Sequence, residues 1–228
     1  MEARTSDSAS TDAARESNGL IADRAYQDLR DRIVTLRLPP GSVLREDELM
    51  PELGIGRTPL REAIKRLVLE NLVTVEPRRG TSVTDVDTAD IVHITEVRAE
   101  LEGQAAELAA RRMDGEHRAE LEQLRADLDA LDDAGQEDLM RFDERIHRAI
   151  WDASNNPYLK QSLERYFVLS LRVWYLVLTR VPGLGGAVHH QVLLLDAVLA
   201  HDAAKARDLM HEHVLDFQRE ILAAFSRG

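Results

Sequence analysis

The sequence predicts a mainly α-helical chain in two parts. An N-terminal helix–turn–helix carries a small β-hairpin, and a C-terminal antiparallel bundle of about six helices follows. Three observations carry this expectation. Between Leu53 and Glu70 a glycine-bearing turn leads into an amphipathic helix. Two short β-branched runs, Leu72 to Val75 and Thr81 to Thr84, then flank a turn containing Pro77, Arg78, Arg79 and Gly80. From Ala89 onward apolar residues recur at three- and four-residue spacing, with no strand pattern.

Residues 1–19 are polar and aperiodic and are expected to be a disordered tail. A first helix runs from Leu20 to about Arg37, with Ala25, Leu29, Ile33 and Leu36 on one face, and stops before Pro39-Pro40-Gly41. Glu46 to Leu53 is a short helix with an acidic start. In Leu53-Gly54-Ile55-Gly56 both glycines suit the positive φ angles of a sharp reversal. Pro59 is tolerated in the first turn of the next helix, where its missing N–H is not needed. At ~100° per residue, Leu60, Ile64 and Leu67 fall on one side of that helix and Thr58, Arg61, Lys65 and Arg66 on the other. The polar joint Asp85 to Asp90 is the expected boundary between a domain over 20–86 and one over 87–228.

The second domain reads as helices over Ala89–Met113, Glu116–Leu131, Gln136–Ser154, Tyr158–Arg180, Val188–Ala200 and Asp202–Phe225. Asn155-Asn156-Pro157 and Pro182-Gly183-Leu184-Gly185-Gly186 are the breaks. Short connections between such helices favour antiparallel neighbours.

Composition narrows the function. There is no cysteine, which excludes disulfides and thiolate metal sites and fits a reducing cytoplasm. The most apolar run, Tyr166 to Leu178, is too short to span a bilayer and contains Arg172. A soluble cytoplasmic protein is expected. The net charge of −12 argues at first against a nucleic-acid partner. Yet residues 20–85 hold eleven Lys and Arg against eleven Asp and Glu, and residues 86–228 alone carry −10. Attraction to phosphate depends on local patches. Between Arg57 and Arg66 four cations face only Glu62.

A helix with a cationic flank, entered through a helix and a turn and followed by an arginine-tipped hairpin, suits duplex DNA: the helix for the major groove, the hairpin tip for backbone or minor groove. Residues from about Ala25 to Val86 resemble the DNA-binding domain of the GntR family of bacterial transcription regulators. The resemblance runs through Leu38-Pro39-Pro40-Gly41-Ser42-Val43-Leu44, Arg57-Thr58-Pro59-Leu60-Arg61-Glu62-Ala63, Leu67, Asn71-Leu72-Val73 and Arg79-Gly80. It implies base or phosphate contacts from Arg57, Arg61 and Arg66, a phosphate contact from Thr58, and wing contacts from Arg79 and Gly80. One departure is Gly56, where the family usually has the helix-capping serine.

The second domain resembles the FCD domain of the FadR-like branch of that family. The resemblance rests on Val97-Arg98-Ala99-Glu100-Leu101-Glu102, Phe142-Asp143 with His147, Asn156-Pro157-Tyr158-Leu159 and the last two helices. It implies a homodimeric regulator, expected to be a repressor, on a short inverted repeat of double-stranded DNA. The bundle would bind a small carboxylic-acid effector and, in many members, a divalent metal such as zinc. On spacing alone, Asp143 and His147 at i and i+4 describe a histidine satisfied by a nearby carboxylate. The family pattern makes both of them metal ligands, with His213 as the final one. Gln191 stands where a third histidine is expected, next to His190. Three outcomes stay open: Gln191 is an oxygen ligand, a local shift brings in His190, or the site is empty. Arg98 and Arg172 are the cations offered to an effector carboxylate, Arg172 also suiting a salt bridge inside the bundle. Two alternatives stand beside this reading. In one the metal is itself the signal. In the other Asp143, His147 and His213 serve a helical metal-dependent enzyme, for which the sequence offers no fixed general base or nucleophile.

Overall fold

The computed structural model describes residues 6–128, 135–177 and 185–226. The chain divides into two compact units, Met1–Val86 and Asp87–Gly228. In the first, α1 (Ser6–Val34), α2 (Glu46–Leu53) and α3 (Arg57–Leu69) precede an antiparallel pair, β1 (Val73–Glu76) and β2 (Gly80–Val83). The second holds α4 (Thr88–Arg112), α5 (Gly115–Leu128), α6 (Gln136–Ala153), α7 (Pro157–Val177), α8 (Gly185–Leu199) and α9 (Ala203–Ser226).

The N-terminal core is made by α1 packing on α3. Leu29 and Ile33 of α1 meet Leu60, Ala63 and Leu67 of α3 in a fully buried layer, closed by Leu72 of the segment before β1. Burying a Leu or Ile side chain is worth roughly 1.5–3 kcal/mol, so these few residues hold the small unit together. α1 begins at Ser6, inside the stretch expected to be a disordered tail. The good helix formers Ala13, Ala14, Arg15 and Glu16, with no proline before Pro39, let the backbone continue outward. At its other end α1 stops at Val34, and Leu36 takes a positive φ of 60°.

The turn before α3 also differs from its expectation. Only Gly54 is left-handed, at φ 64°, where it caps α2 and donates to the carbonyls of Met50 and Pro51. Gly56 sits at φ −82°, ψ 173°, extended backbone open to any residue. The hairpin register pairs Val73 with Val83 and Glu76 with Gly80, so Pro77, Arg78 and Arg79 form its tip. Residues 41–44 lie along the far side of β2: the Leu44 amide donates to the Thr81 carbonyl and the Val83 amide to the Ser42 carbonyl. The Pro-Pro-Gly breaker thus delivers a short edge segment that braces the wing.

In the second unit α4 packs most extensively on α9, with α6, α7 and α8 around it. Alanines of α4 (Ala99, Ala106, Ala109, Ala110) let the neighbours approach closely, and Leu121, Leu124, Ile146, Ile150, Leu195 and Met210 fill the core. Asp87 caps α4 by accepting from the Ala89 amide, and Asn156 caps α7 by accepting from the Leu159 amide. α8 begins at Gly185, within the expected loop. Leu131, Arg180 and the segment Pro182–Leu184 of the sequence reading lie outside the described residues. No described helix is long and apolar enough to cross a membrane.

Candidate nucleic-acid interface and metal centre

On α3, the buried face is Pro59, Leu60, Ala63, Ile64 and Leu67. Opposite it, the Arg57 and Arg61 side chains are 65% and 62% exposed, free to reach a ligand. Both are aimed by one carboxylate. Glu46, opening α2, accepts from Arg61 Nε at 2.8 Å and lies 3.5 Å from Arg57 Nε. Exposed ion pairs are worth little, so this contact orients the two guanidiniums without locking them away from phosphate or base. Arg79 stands out at the hairpin tip, 85% exposed, with Glu76 at 3.3 Å as a loose partner. Gly80 beside it takes φ 93°, the left-handed region that favours glycine.

Arg66, grouped with the DNA-facing cations in the sequence reading, has a different neighbourhood. It pairs with Asp23 and lies 3.9 Å over the Tyr26 ring, both on α1. Tyr26 in turn donates to Glu70 at 2.7 Å. Nine residues from Arg57 and five from Arg61, Arg66 falls about 140° around the helix from Arg61, and that rotation turns it toward α1. The structure brings together Arg57, Thr58 and Arg61, while Arg66, its side chain 40% exposed, also meets Asp23 and Tyr26 of α1.

No side chain caps α3 at Gly56, and a Cβ built there meets nothing within 4 Å. Gly56→Ser is therefore expected to raise stability by a few tenths of a kcal/mol, measured by urea denaturation, and to tighten DNA binding by adding a hydroxyl beside Arg57.

In the helical unit a second constellation lies between α4, α6, α8 and α9. Asp143, His147 and His213 offer ligand atoms all within 4.8 Å of one another. His213 Nε2 is 3.1 Å from Asp143 Oδ1, His147 Nε2 is 3.5 Å from Asp143 Oδ2, and the two Nε2 atoms are 3.2 Å apart. Donors bound at about 2.0–2.1 Å to a tetrahedral ion are roughly 3.3 Å apart. The three separations, which run to both Asp143 oxygens, are close to that value. The cavity beside it is about 20 Å³, room for one water-sized sphere. The residues present fit a divalent ion.

Glu102 sets the histidine's orientation. Completely buried on α4, it meets His147 Nδ1 at 2.9 Å, accepts from Trp151 Nε1 at 2.6 Å and pairs with Arg98 at 2.8 Å. With Nδ1–H donated to this carboxylate, the Nε2 lone pair faces Asp143 and His213, the arrangement found behind metal-binding imidazoles. Burial works to raise the Glu102 pKa, but the charges and hydrogen bonds of His147 and Arg98 outweigh it and bring it down to about 2. Asp143 is likewise held below its usual range: His147, His213 and Gln191 together overcome burial. His147 is raised, because Glu102 and Asp143 outweigh the burial that would lower it.

Gln191, not His190, faces this cluster. The Gln191 side-chain amide donates to Asp143, whereas His190 Nδ1 turns to Asp216 at 3.4 Å. Of the two cations offered to an effector, Arg98 lines the cavity, paired with Glu102 and 4.8 Å over the Phe167 ring. Arg172, equally buried, is not among the lining residues. It sits one residue past Leu171, which does line the cavity, and a one-residue step rotates a side chain by about 100°. Sequence reasoning assigned nothing to Glu102 or Glu46. A signal existed for the first: Arg98 and Glu102 are i, i+4 inside an otherwise apolar stripe.

One unit carries an exposed cationic helix face with an arginine-tipped wing, and the other a small buried cavity lined by ionisable side chains. That architecture is a DNA-binding transcription regulator. The profile described as bacterial regulatory proteins, gntR family, matches residues 21–83, and the FCD domain profile matches residues 93–216. The chain is 33% identical over 200 residues to the HTH-type transcriptional repressor GlaR of Escherichia coli K12, covering 83% of this chain and 90% of that one. It is 30% identical over 188 residues to the regulator McbR of the same organism, covering 81% and 85%. The solved structure of E. coli McbR/YncC superimposes with a TM-score of 0.76 at 27% identity, over 91% of this chain and 98% of that one. The chain belongs to the GntR family, with an FCD domain after its helix–turn–helix. These relatives are transcription regulators, not enzymes.

Proposed function

We propose that the chain is a homodimeric, cytoplasmic repressor that reads a short inverted repeat. A small carboxylic acid, bound with a divalent ion at the Asp143–His147–His213 cluster, would control it. The observation behind this is the joint presence in one buried cavity of a metal-shaped donor triangle and a guanidinium, Arg98. At the DNA, Arg57 and Arg61 enter the major groove, Thr58 holds a phosphate, and Arg79 and Gly80 bring the wing to the backbone. Two-fold pairing of the helical domains presents two such units to two half-sites.

In the helical domain Asp143, His147 and His213 hold the ion, which when bound supplies a Lewis-acidic charge for a carboxylate oxygen. Gln191, whose side-chain amide donates to Asp143, would help orient that carboxylate toward the ion. Arg98 offers the second cation once it is drawn from Glu102. A cavity of about 20 Å³ does not admit an organic acid as it stands, since sites for small molecules run to roughly 300 Å³ and above. Binding must part α7 from α9, at Phe167 and Phe217. An effector that favours the parted state shifts the DNA-binding equilibrium only by its difference in affinity for the two states.

The same small volume favours a second reading, in which the ion alone is the signal. Gel-shift titration separates the two, using a duplex enriched by selection with the purified chain. Chelated protein, protein with zinc, and zinc protein with a panel of small carboxylic acids would be compared. Organic-acid control predicts that affinity changes only when zinc and one acid are both present. Metal control predicts the full change with zinc alone. Identical affinity in all three arms removes both.

A further inference from the structure

The N-terminal unit has an open cleft that the reading helix does not account for. It measures about 660 Å³ and lies between α1 and the turn before α3, lined by Ile21, Arg24 and Asp28 on one side and Gly54, Arg57 and Thr58 on the other. Its charges are unequal in their commitments. Asp28 is turned away to Arg32 at 2.9 Å, and Arg32 is held a second time by Glu52. Asp23 is taken by Arg66. Arg24, one residue on, is exposed, and no carboxylate among the described residues pairs with it. Arg57 across the cleft shares Glu46 with Arg61 and remains 65% exposed. The acids that could neutralise this cleft are engaged elsewhere, which leaves two arginines facing a channel open to solvent.

We propose that this cleft is a track for the DNA backbone, in which Arg24 of α1 holds a phosphate beside the one held by Thr58 and Arg57. The inference rests on the reading of α3 as the major-groove helix and adds a contact from a different element. A helix seated in the major groove has a sugar–phosphate strand along each flank. The cleft opens at the N-terminal flank of α3, where Arg57 and Thr58 begin it, so the strand passing there meets α1 at Arg24. A phosphate contact positions the protein without reading sequence. Arg24 should therefore add affinity evenly to every duplex, unlike Arg61.

The test is fluorescence anisotropy with full-length chain at several salt concentrations. The probes are a duplex enriched by selection with the wild-type chain and a shuffled duplex of the same composition. Arg24→Ala is expected to weaken binding to both probes by a similar factor, and to make the slope of log affinity against log salt shallower by about one unit per protomer. Arg24→Lys should restore the slope, and Arg24→Glu should weaken binding further than alanine. As an exposed helical position, it leaves folding intact, checked by circular dichroism. If Arg24→Ala keeps wild-type affinity and slope while Arg57→Ala loses both, the cleft carries no backbone and the proposal is overturned, with the major-groove reading untouched. If wild type itself enriches no duplex, the reading of α3 fails and this inference goes with it.

Discussion

Arg61→Ala is expected to weaken binding to the selected duplex roughly ten- to hundredfold, while binding to a shuffled duplex weakens far less. The geometry behind this is specific. Arg61 lies one turn into α3, rotated about 100° from the buried Leu60, and its exposed guanidinium is held by Glu46. A planar guanidinium delivered edge-on matches the O6 and N7 acceptors of guanine, and losing a bidentate pair leaves those acceptors dry and unmatched. Lysine keeps the charge but not the fork, so Arg61→Lys should retain the affinity for shuffled duplex and still lose discrimination. The measurement is a pair of anisotropy titrations at one salt concentration. An Arg61→Ala chain that kept the wild-type ratio between the two duplexes would show that Arg61 touches phosphate only.

Much of this fold was legible because its elements repeat patterns that physics ties to geometry. The period of Leu60, Ile64 and Leu67 gave α3 its buried face, and the β-branched runs around Pro77–Gly80 gave the wing. What could not be read was set by partners distant in sequence. Arg66 lies on the polar arc of α3, and the pattern alone groups it with Arg61. Only the placement of α1, with Asp23 and Tyr26 forty or more residues earlier, gives Arg66 its second set of neighbours. The bracing of β2 by residues 41–44 was hidden in the same way, because Pro39-Pro40-Gly41 announces a break and not where the chain goes next. In the second domain, Asp143 and His147 were visible as neighbours on one helix. Spacing alone did not reach His213, which the family resemblance supplied, or the Glu102 carboxylate behind them, because both come from other helices. Gln191 was recognisable as a departure, but whether it or its neighbour His190 met Asp143 depended on the rotation of α8, which sequence does not fix to within one residue.

Glu102 is where the largest stability effect is expected. One buried carboxylate answers Arg98, His147 and Trp151 at once. Glu102→Ala leaves Arg98 charged and buried with its partner gone and two further donors unmatched. Breaking a buried pair this way costs roughly 3–5 kcal/mol, to be measured by urea denaturation. Glu102→Gln keeps an acceptor and should cost less, yet it releases the His147 ring from a charged anchor, and zinc affinity should fall about 10–100-fold. The pH dependence separates this from simple loss of packing. Glu102 titrates lower in the folded chain than in the unfolded one, at about 2, so its contribution is present above the usual carboxylate range and drains away as pH falls through that range. His147 works in the opposite sense. Its folded pKa is raised, so in chelated protein its contribution is full below about 6.5 and is lost as pH climbs past that point. The chelated wild type should thus be most stable on the acidic side of neutrality and weaken toward pH 8. Zinc, which needs a neutral imidazole, binds more tightly over the same interval and offsets the decline. In Glu102→Gln the raised proton affinity of His147 loses its largest support, and the alkaline decline of the chelated protein should flatten. A chelated wild type whose stability rose steadily from pH 6 to 8, or a Glu102→Ala chain as stable as its parent, would show that this carboxylate does not hold the centre of the domain.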